Sequence, residues 1–346
     1  MAGQTTETEI ASDKITGATR ARNEPARPNN APFFLIGAPR SGTTLLRLIL
    51  LGHSRLHIPP ESWFLEDLVR ELPLADVLTA EQVGRAVGLV TNHRRWEDFT
   101  ISSETFRQQV AAGQQLTLRD IVDLIYREEL DAAGKLRFGD KSPSYFKIVP
   151  ELLALYPGAQ FIHLIRDGRD VAISSIDAKW ARYYERKLFV WLEAMKVREI
   201  HRRSRYADRI FEVRYEDLVQ DPETVIRAIC AFLGESFEDG MLEWQQRVDA
   251  TIPAREMHVH RRIRGDIDSR NIAIWKSRLS AFECFSMEAC LRAPLARLGY
   301  ALRFASPVWR PLLDAWGRTL NLSAPILRRV LPALQRRKLL PARMYF

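Results

Sequence analysis

The chain has 346 residues, 46% of them hydrophobic and 27% charged, the balance of a globular protein with room for a large core. No apolar run reaches the roughly 18 residues that a membrane-spanning helix needs. Of its 51 basic and 43 acidic residues, nine basic (Arg303, Arg310, Arg318, Arg328, Arg329, Arg336, Arg337, Lys338, Arg343) and one acid (Asp314) lie beyond residue 300. The first 300 therefore carry 42 of each sign and are neutral, which argues against the basic face of a nucleic-acid-binding domain. Three cysteines, Cys230, Cys284 and Cys290, show neither metal-ligand nor disulfide spacing. They predict buried thiols, no metal and a reducing, cytoplasmic setting.

In chain order, residues 1–31 are polar, poor in aromatics and end in prolines, the composition of a disordered leader without the apolar segment of a signal peptide. "FFLIGA" (33–38) is short, apolar and bounded by Pro and Gly, as a buried parallel strand is. "TTLLRLILLGH" after it has helical spacing and closes at Gly52. Between them, Gly37, four residues, then Gly42, Thr43 and Thr44 reproduce the spacing of a nucleotide phosphate loop. The loop lysine is missing. Backbone N–H groups of such a loop, leading into a helix N-terminus, cradle an anion. Arg40 adds a planar cation suited to phosphate or sulfate, and Ser41, Thr43 and Thr44 add hydroxyls.

Residues 62–135 read as amphipathic helices, with Leu118, Ile121, Val122 and Ile125 on one face. They predict a helical insertion on the acceptor side. "AQFIHLI" (159–165) is a second strand, leading through a polar turn into the helix of "RDGRDVAISSI". Arg166 stands there ahead of any acid, where a triphosphatase strand ends in a Mg²⁺-binding aspartate. Arg169 and Asp170 read as a structural ion pair. In "KWARYYERKLFVW", Trp180, Tyr183, Tyr184, Phe189 and Trp191 fit core packing or an acceptor pocket. "RIFEVRYEDL" (209–218) is a third strand and "DPETVIRAICAFLG" a capped helix. His258 and His260 form a pair without a third ligand, and His53 and His57 read as structural. Strands alternating with helices predict an α/β fold, a phosphate-loop-type parallel central sheet flanked by helices. It spans 32–305, followed by a basic amphipathic helical tail over 306–346. Trp309 and Trp316 among the arginines fit peripheral contact with an anionic inner membrane surface, a helix docked on the domain, or a dimerisation arm.

"APRSGTTLL" and "FIHLIRDGRDVAISS" together resemble the two signature segments of sulfotransferases that use 3′-phosphoadenosine 5′-phosphosulfate (PAPS). They are closest in pattern to the bacterial and tyrosylprotein-type branch. The resemblance spans roughly 33–300. It implies that Arg40, Ser41, Gly42, Thr43 and Thr44 bind the phosphosulfate end, and that Arg166 and Ser174 bind the 3′-phosphate. It places Tyr215, in "VRYEDLVQDP", near the nucleotide. Glu61 in "HIPPESWF", 21 residues after Arg40, matches the branch's catalytic base; a plain first-turn acid is the alternative. Lys141 in "GDKSPSYFK" matches the cation on the bridging oxygen, against a solvated lysine before the turn at Pro143. "RRIRGDIDSRNIAIWKSRLS" (261–280) is similar to the segment that closes over the nucleotide, with Arg264, Gly265, Ser269 and Trp275-Lys276 as candidates.

The expected activity is metal-free in-line transfer of the sulfuryl group to a hydroxyl or amine of a small-molecule, lipid, glycan or peptide acceptor. Two rivals stay open. One is a small-molecule kinase using ATP and Mg²⁺, disfavoured by the missing lysine. The other is a non-catalytic membrane-associated binding protein acting through the basic tail.

Overall fold

The runs "FFLIG" and "QFIHLI" become adjacent central strands in a computed structural model of the chain, which describes residues 30–178, 184–253, 255–256, 263, 265 and 269–320. The strands are β1 (Phe33–Gly37), β2 (Leu56–His57), β3 (Arg137–Asp140), β4 (Gln160–Ile165) and β5 (Ile210–Arg214), all parallel, in the order β2-β3-β1-β4-β5. Alternate residues feed two cores. Phe34, Ile36, Phe161 and Ile165 point into one, and Phe33, Leu35, Ile162 and Leu164 into the other. A sheet covered on both faces explains why these strands read as unbroken apolar runs.

One core takes α1 (Thr43–Leu50), α9 (Tyr215–Gln220), α10 (Pro222–Leu233) and α11 (Val248–Thr251). The other takes α6 (Val149–Leu155), α7 (Gly168–Asp177), α8 (Tyr184–Arg202), α12 (Trp275–Arg278) and α13 (Ala281–Arg297). It also takes the inserted helices α2 (Phe64–Glu71), α3 (Ala80–Thr91), α4 (Ser103–Ala112) and α5 (Leu118–Ala133). Local signals set their ends. Thr117 and Asp120 form a reciprocal cap on α5, and the Asp221 side chain caps α10, each satisfying backbone N–H groups that lack helical partners.

Two strands escape sequence reading. β3 is four residues long with a glycine inside, and β2 has only two residues, too short for a period to register. The third strand also ends earlier than its sequence suggests, because Tyr215 already starts α9.

The tail begins by docking. Residues 310–320 are helical and lie on α13: Leu313 is buried, and Trp316 donates its indole N–H to Ser286 at 3.0 Å. Gly317 comes so close that a Cβ there would sit 2.8 Å from the Ala289 carbonyl oxygen. Trp309 packs on Phe285 and Phe304. Both tryptophans that suggested a membrane surface thus contact the domain. The leader over 1–29 and the tail beyond 320 lie outside the described residues. Among those described, no helix is long and apolar enough to cross a membrane, and no group of His, Cys, Asp or Glu is arranged for a metal.

Candidate active site

The loop between β1 and α1 is built from backbone that most residues avoid. Gly37, Arg40 and Gly42 have φ of 148°, 74° and 102°. At Gly42 a side chain would run into the Tyr215 ring, so glycine there answers both conformation and space. Ser41 is buried and its hydroxyl has no partner among the described residues. A buried hydroxyl beside free helix N–H groups suits a bound anion. α1 carries no side-chain cap at Gly42, which leaves its N-terminus open to such a ligand.

The turn after β4 closes the other side. Arg166 is buried, donates to the Arg40 carbonyl at 3.2 Å and to the Asn271 carbonyl at 2.9 Å, and lies 4.1 Å over the Tyr215 ring. Its Nε is buried with no partner among the described residues. Arg40 Nε donates to the Ser174 hydroxyl at 3.3 Å. Arg40, Arg166, Ser174 and Tyr215 are therefore one cluster, drawn from four separate elements. Arg169 does not pair with Asp170 as expected: its guanidinium holds Asp167 at 2.7 Å and Glu288 at 2.6 Å, and lies 3.6 Å over Trp275. Asp170 instead accepts the Trp275 N–H at 2.9 Å. Burial, then the neighbouring Asp167, raises the Asp170 carboxyl to about 6. The reading of this pair as structural holds, but the partners differ, because Asp167 caps α7 and faces the guanidinium. Trp191, one of the aromatics open between core and pocket, is core: it is fully buried and donates to the Arg166 carbonyl at 2.9 Å.

Glu61 and Lys141 meet across the loop. Lys141 Nζ bonds Glu61 Oε1 and lies 3.5 Å from Thr44 Oγ1. Both are buried, so Lys141 is no solvated surface lysine. Glu61 stands three residues ahead of α2, outside its first turn, which carries Glu66 and Asp67. Burial lowers the Lys141 pKa, and the Glu61 carboxylate works against that. Below them Asp140 Oδ2 accepts from Ser62 at 2.5 Å and from Tyr126, with Tyr145 at 2.6 Å from the same serine. Burial raises the Asp140 pKa. The Arg47 guanidinium, wholly buried and donating to the Ile58 and Thr251 carbonyls at 2.8 and 3.1 Å, is lowered by burial to about 10.

A sequence model of the sulfotransferase family matches residues 32–239, more than half of the chain. The chain belongs to the sulfotransferase family. It is 25% identical over 296 residues to a putative protein-tyrosine sulfotransferase of Caenorhabditis briggsae, covering 82% of this chain and 93% of that one. An uncharacterized Aquifex aeolicus protein is 28% identical over 230 residues, which are 63% of this chain and 27% of that longer one. The sulfotransferase domain from the curacin biosynthetic pathway superposes with a TM-score of 0.57 at 24% identity, over 80% of this chain and all of that one.

In this sulfotransferase the segment leading into α12 packs in part against the turn and helix that follow β4. Asn271 and Trp275 contact the Arg166 turn, whereas Gly265 and Ser269 are exposed and Arg264 lies outside the described residues. His258, His260, Trp180 and Tyr183 lie outside them as well, as does the Tyr184 side chain. His53 is structural, bonded to the Ser236 carbonyl at 2.9 Å and accepting from the Arg55 N–H at 3.0 Å. Arg95 and Arg47, which lie near Glu61, carry no signal in the sequence, and Trp63 was expected there as a burying neighbour and not as a hydrogen-bond donor. Only the "ESWF" context of Trp63 offered a signal.

Proposed function

We propose that this sulfotransferase transfers the sulfuryl group of PAPS to an acceptor hydroxyl or amine without a metal. The observation that carries the reading is the run of contacts joining the Lys141–Glu61 pair, through Thr44, to the loop with Arg40 and the Arg166–Ser174 cluster. The buried, unpartnered Ser41 hydroxyl and Arg166 Nε fit an anion there.

In this reading, the loop amides and the hydroxyls of Ser41, Thr43 and Thr44 hold the phosphosulfate, and Arg40 neutralises its charge. Arg166 and Ser174 hold the 3′-phosphate, with the Tyr215 ring behind Arg166. Glu61 takes the proton as the acceptor oxygen bonds sulfur. Lys141 stabilises the bridging oxygen as its bond to sulfur breaks. Fixed charges in a buried site are worth far more than in water, which is why positioning carries such reactions.

Titration calorimetry with adenosine 3′,5′-bisphosphate and with ATP–Mg²⁺ separates this from a kinase. The bisphosphate is expected to bind tightly, and Arg166→Ala to weaken it roughly ten- to a hundredfold through loss of charge-assisted bonds. Tight ATP–Mg²⁺ binding with no 3′-phosphate dependence would refute it. The acceptor is to be found by screening labelled PAPS against phenol, peptide, glycan and lipid pools.

Peripheral membrane contact remains part of the reading. Val308, Trp309 and Leu312 are exposed beside Arg310 and Arg318, and such a face suits anionic lipid. Sedimentation with phosphatidylglycerol but not phosphatidylcholine vesicles is expected, weakened by Trp309→Ser with Leu312→Ser. Equal recovery with and without anionic vesicles would end this reading.

A further inference from the structure

Glu61 is fixed from the side opposite Lys141. Its Oε2 accepts the Trp63 indole N–H at 2.6 Å and faces Arg95 Nη2 at 3.6 Å. Trp63 has φ 57° and ψ −30°, a conformation that costs a bulky residue on the order of 1–3 kcal/mol and persists only where the surroundings over-determine it. Those surroundings are cationic. The guanidinium carbons of Arg94 and Arg95 lie 4.5 and 4.3 Å from the centre of the indole ring, within the range of attraction to its π-face.

Arg95 is buried and anchored in turn. It bonds Glu256 and lies 3.4 Å from Asp98, and Arg255, Glu256's neighbour, also bonds Asp98. A chain of contacts thus runs from the Arg255–Glu256 turn through Arg95 and Trp63 to one oxygen of Glu61. The other oxygen belongs to Lys141.

We propose that Trp63 and Arg95 are positioning residues that fix the Glu61 carboxylate through Oε2, and that Glu256 anchors this clamp from outside the insertion. This rests on the reading of Glu61 as the base. The division of labour follows from the contacts. Held at Oε2, the carboxylate turns neither toward Arg47 nor into solvent when Lys141 is drawn to the anion, and Oε1 is presented to the acceptor proton. Without the indole N–H, the carboxylate loses an orienting bond at Oε2. The strained backbone at Trp63 is the local cost of aiming that N–H.

Donor turnover with water as acceptor, read as release of adenosine 3′,5′-bisphosphate from PAPS, tests this without knowledge of the natural acceptor. Trp63→Phe is expected to lower kcat roughly ten- to a hundredfold and to leave the KM for PAPS within about twofold. In a Glu61→Gln background the same substitution is expected to cost less than about threefold, since partners in one interaction are non-additive. The full cost persisting in that background, or an unchanged kcat in the single variant, would overturn the proposal. If Trp63→Phe lowers the melting temperature enough to empty the native state, Glu256→Gln reads kcat, KM and the cost in the Glu61→Gln background from the outer end of the clamp, with a smaller fall in kcat. A wrong assignment of the base shows separately, as wild-type turnover in Glu61→Gln itself.

Discussion

Glu61 and Lys141 neutralise each other in this structure, and a buried pair is judged by what happens when one member is removed. Glu61→Gln is expected to cost about 10²- to 10⁴-fold in kcat for a poorly acidic acceptor alcohol, the range of a positioned general base. The loss should shrink for acceptors that are already anionic, and a loss of equal size across acceptor acidities would remove Glu61 as base. Several residues at this scale were legible because, in the proposed reading, the ligand's charge dictates their types: Arg40, the threonines and Arg166 are the cations and hydroxyls that an anion would need. The bond from Trp63 to Glu61 and the place of Arg95 were not. A side chain that touches only another side chain answers to geometry, and geometry comes from a chain path that no local pattern encodes.

The elements show the same division. β1 and β4 announce themselves by apolar runs bounded by turn residues, while β2 and β3 are paired by their neighbours and carry little signal of their own. β4 also hides a titratable group. His163 is fully buried, neither ring nitrogen has a partner among the described residues, and burial, helped by Arg198 and His201, lowers its pKa to about 3. Its ordinary value is about 6.5, so the unfolded chain takes up the proton first. The neutral ring's contribution is present above about pH 6.5 and is lost as pH falls from there toward 3. The shift corresponds to on the order of 5 kcal/mol. The denaturant midpoint of the wild type should therefore fall relative to that of His163→Phe as pH drops from 7 to 4; a constant difference between pH 7 and 4 would contradict the assignment.

For the whole molecule, strand order places the site. β1 sits at the centre with β3 on one side and β4 on the other, so the loops leaving β1 and β4 face each other across the carboxyl edge of the sheet, where open α/β sheets bind ligands. Alternation of strands and helices made the class legible, and the insertion was visible as amphipathic helices between the loop and Lys141. The packing of the tail was not. Apolar residues spaced among arginines read alike whether the apolar face meets lipid or protein, and only α13 decides between them for residues 310–320.

That docking redefines where the protein can be cut. Removing residues from 306 onward strips a cover from α13, leaving the Leu313 site empty and Ser286 without its indole partner, so any loss of activity would report damage to the fold. A stop codon after Leu320 spares that cover and removes residues 321–346, with six of the tail's nine basic residues, and the two truncations should differ by several degrees in Tm. The shorter cut is the one that asks what the distal tail does for the enzyme, and the longer one asks what α13 needs from its own chain.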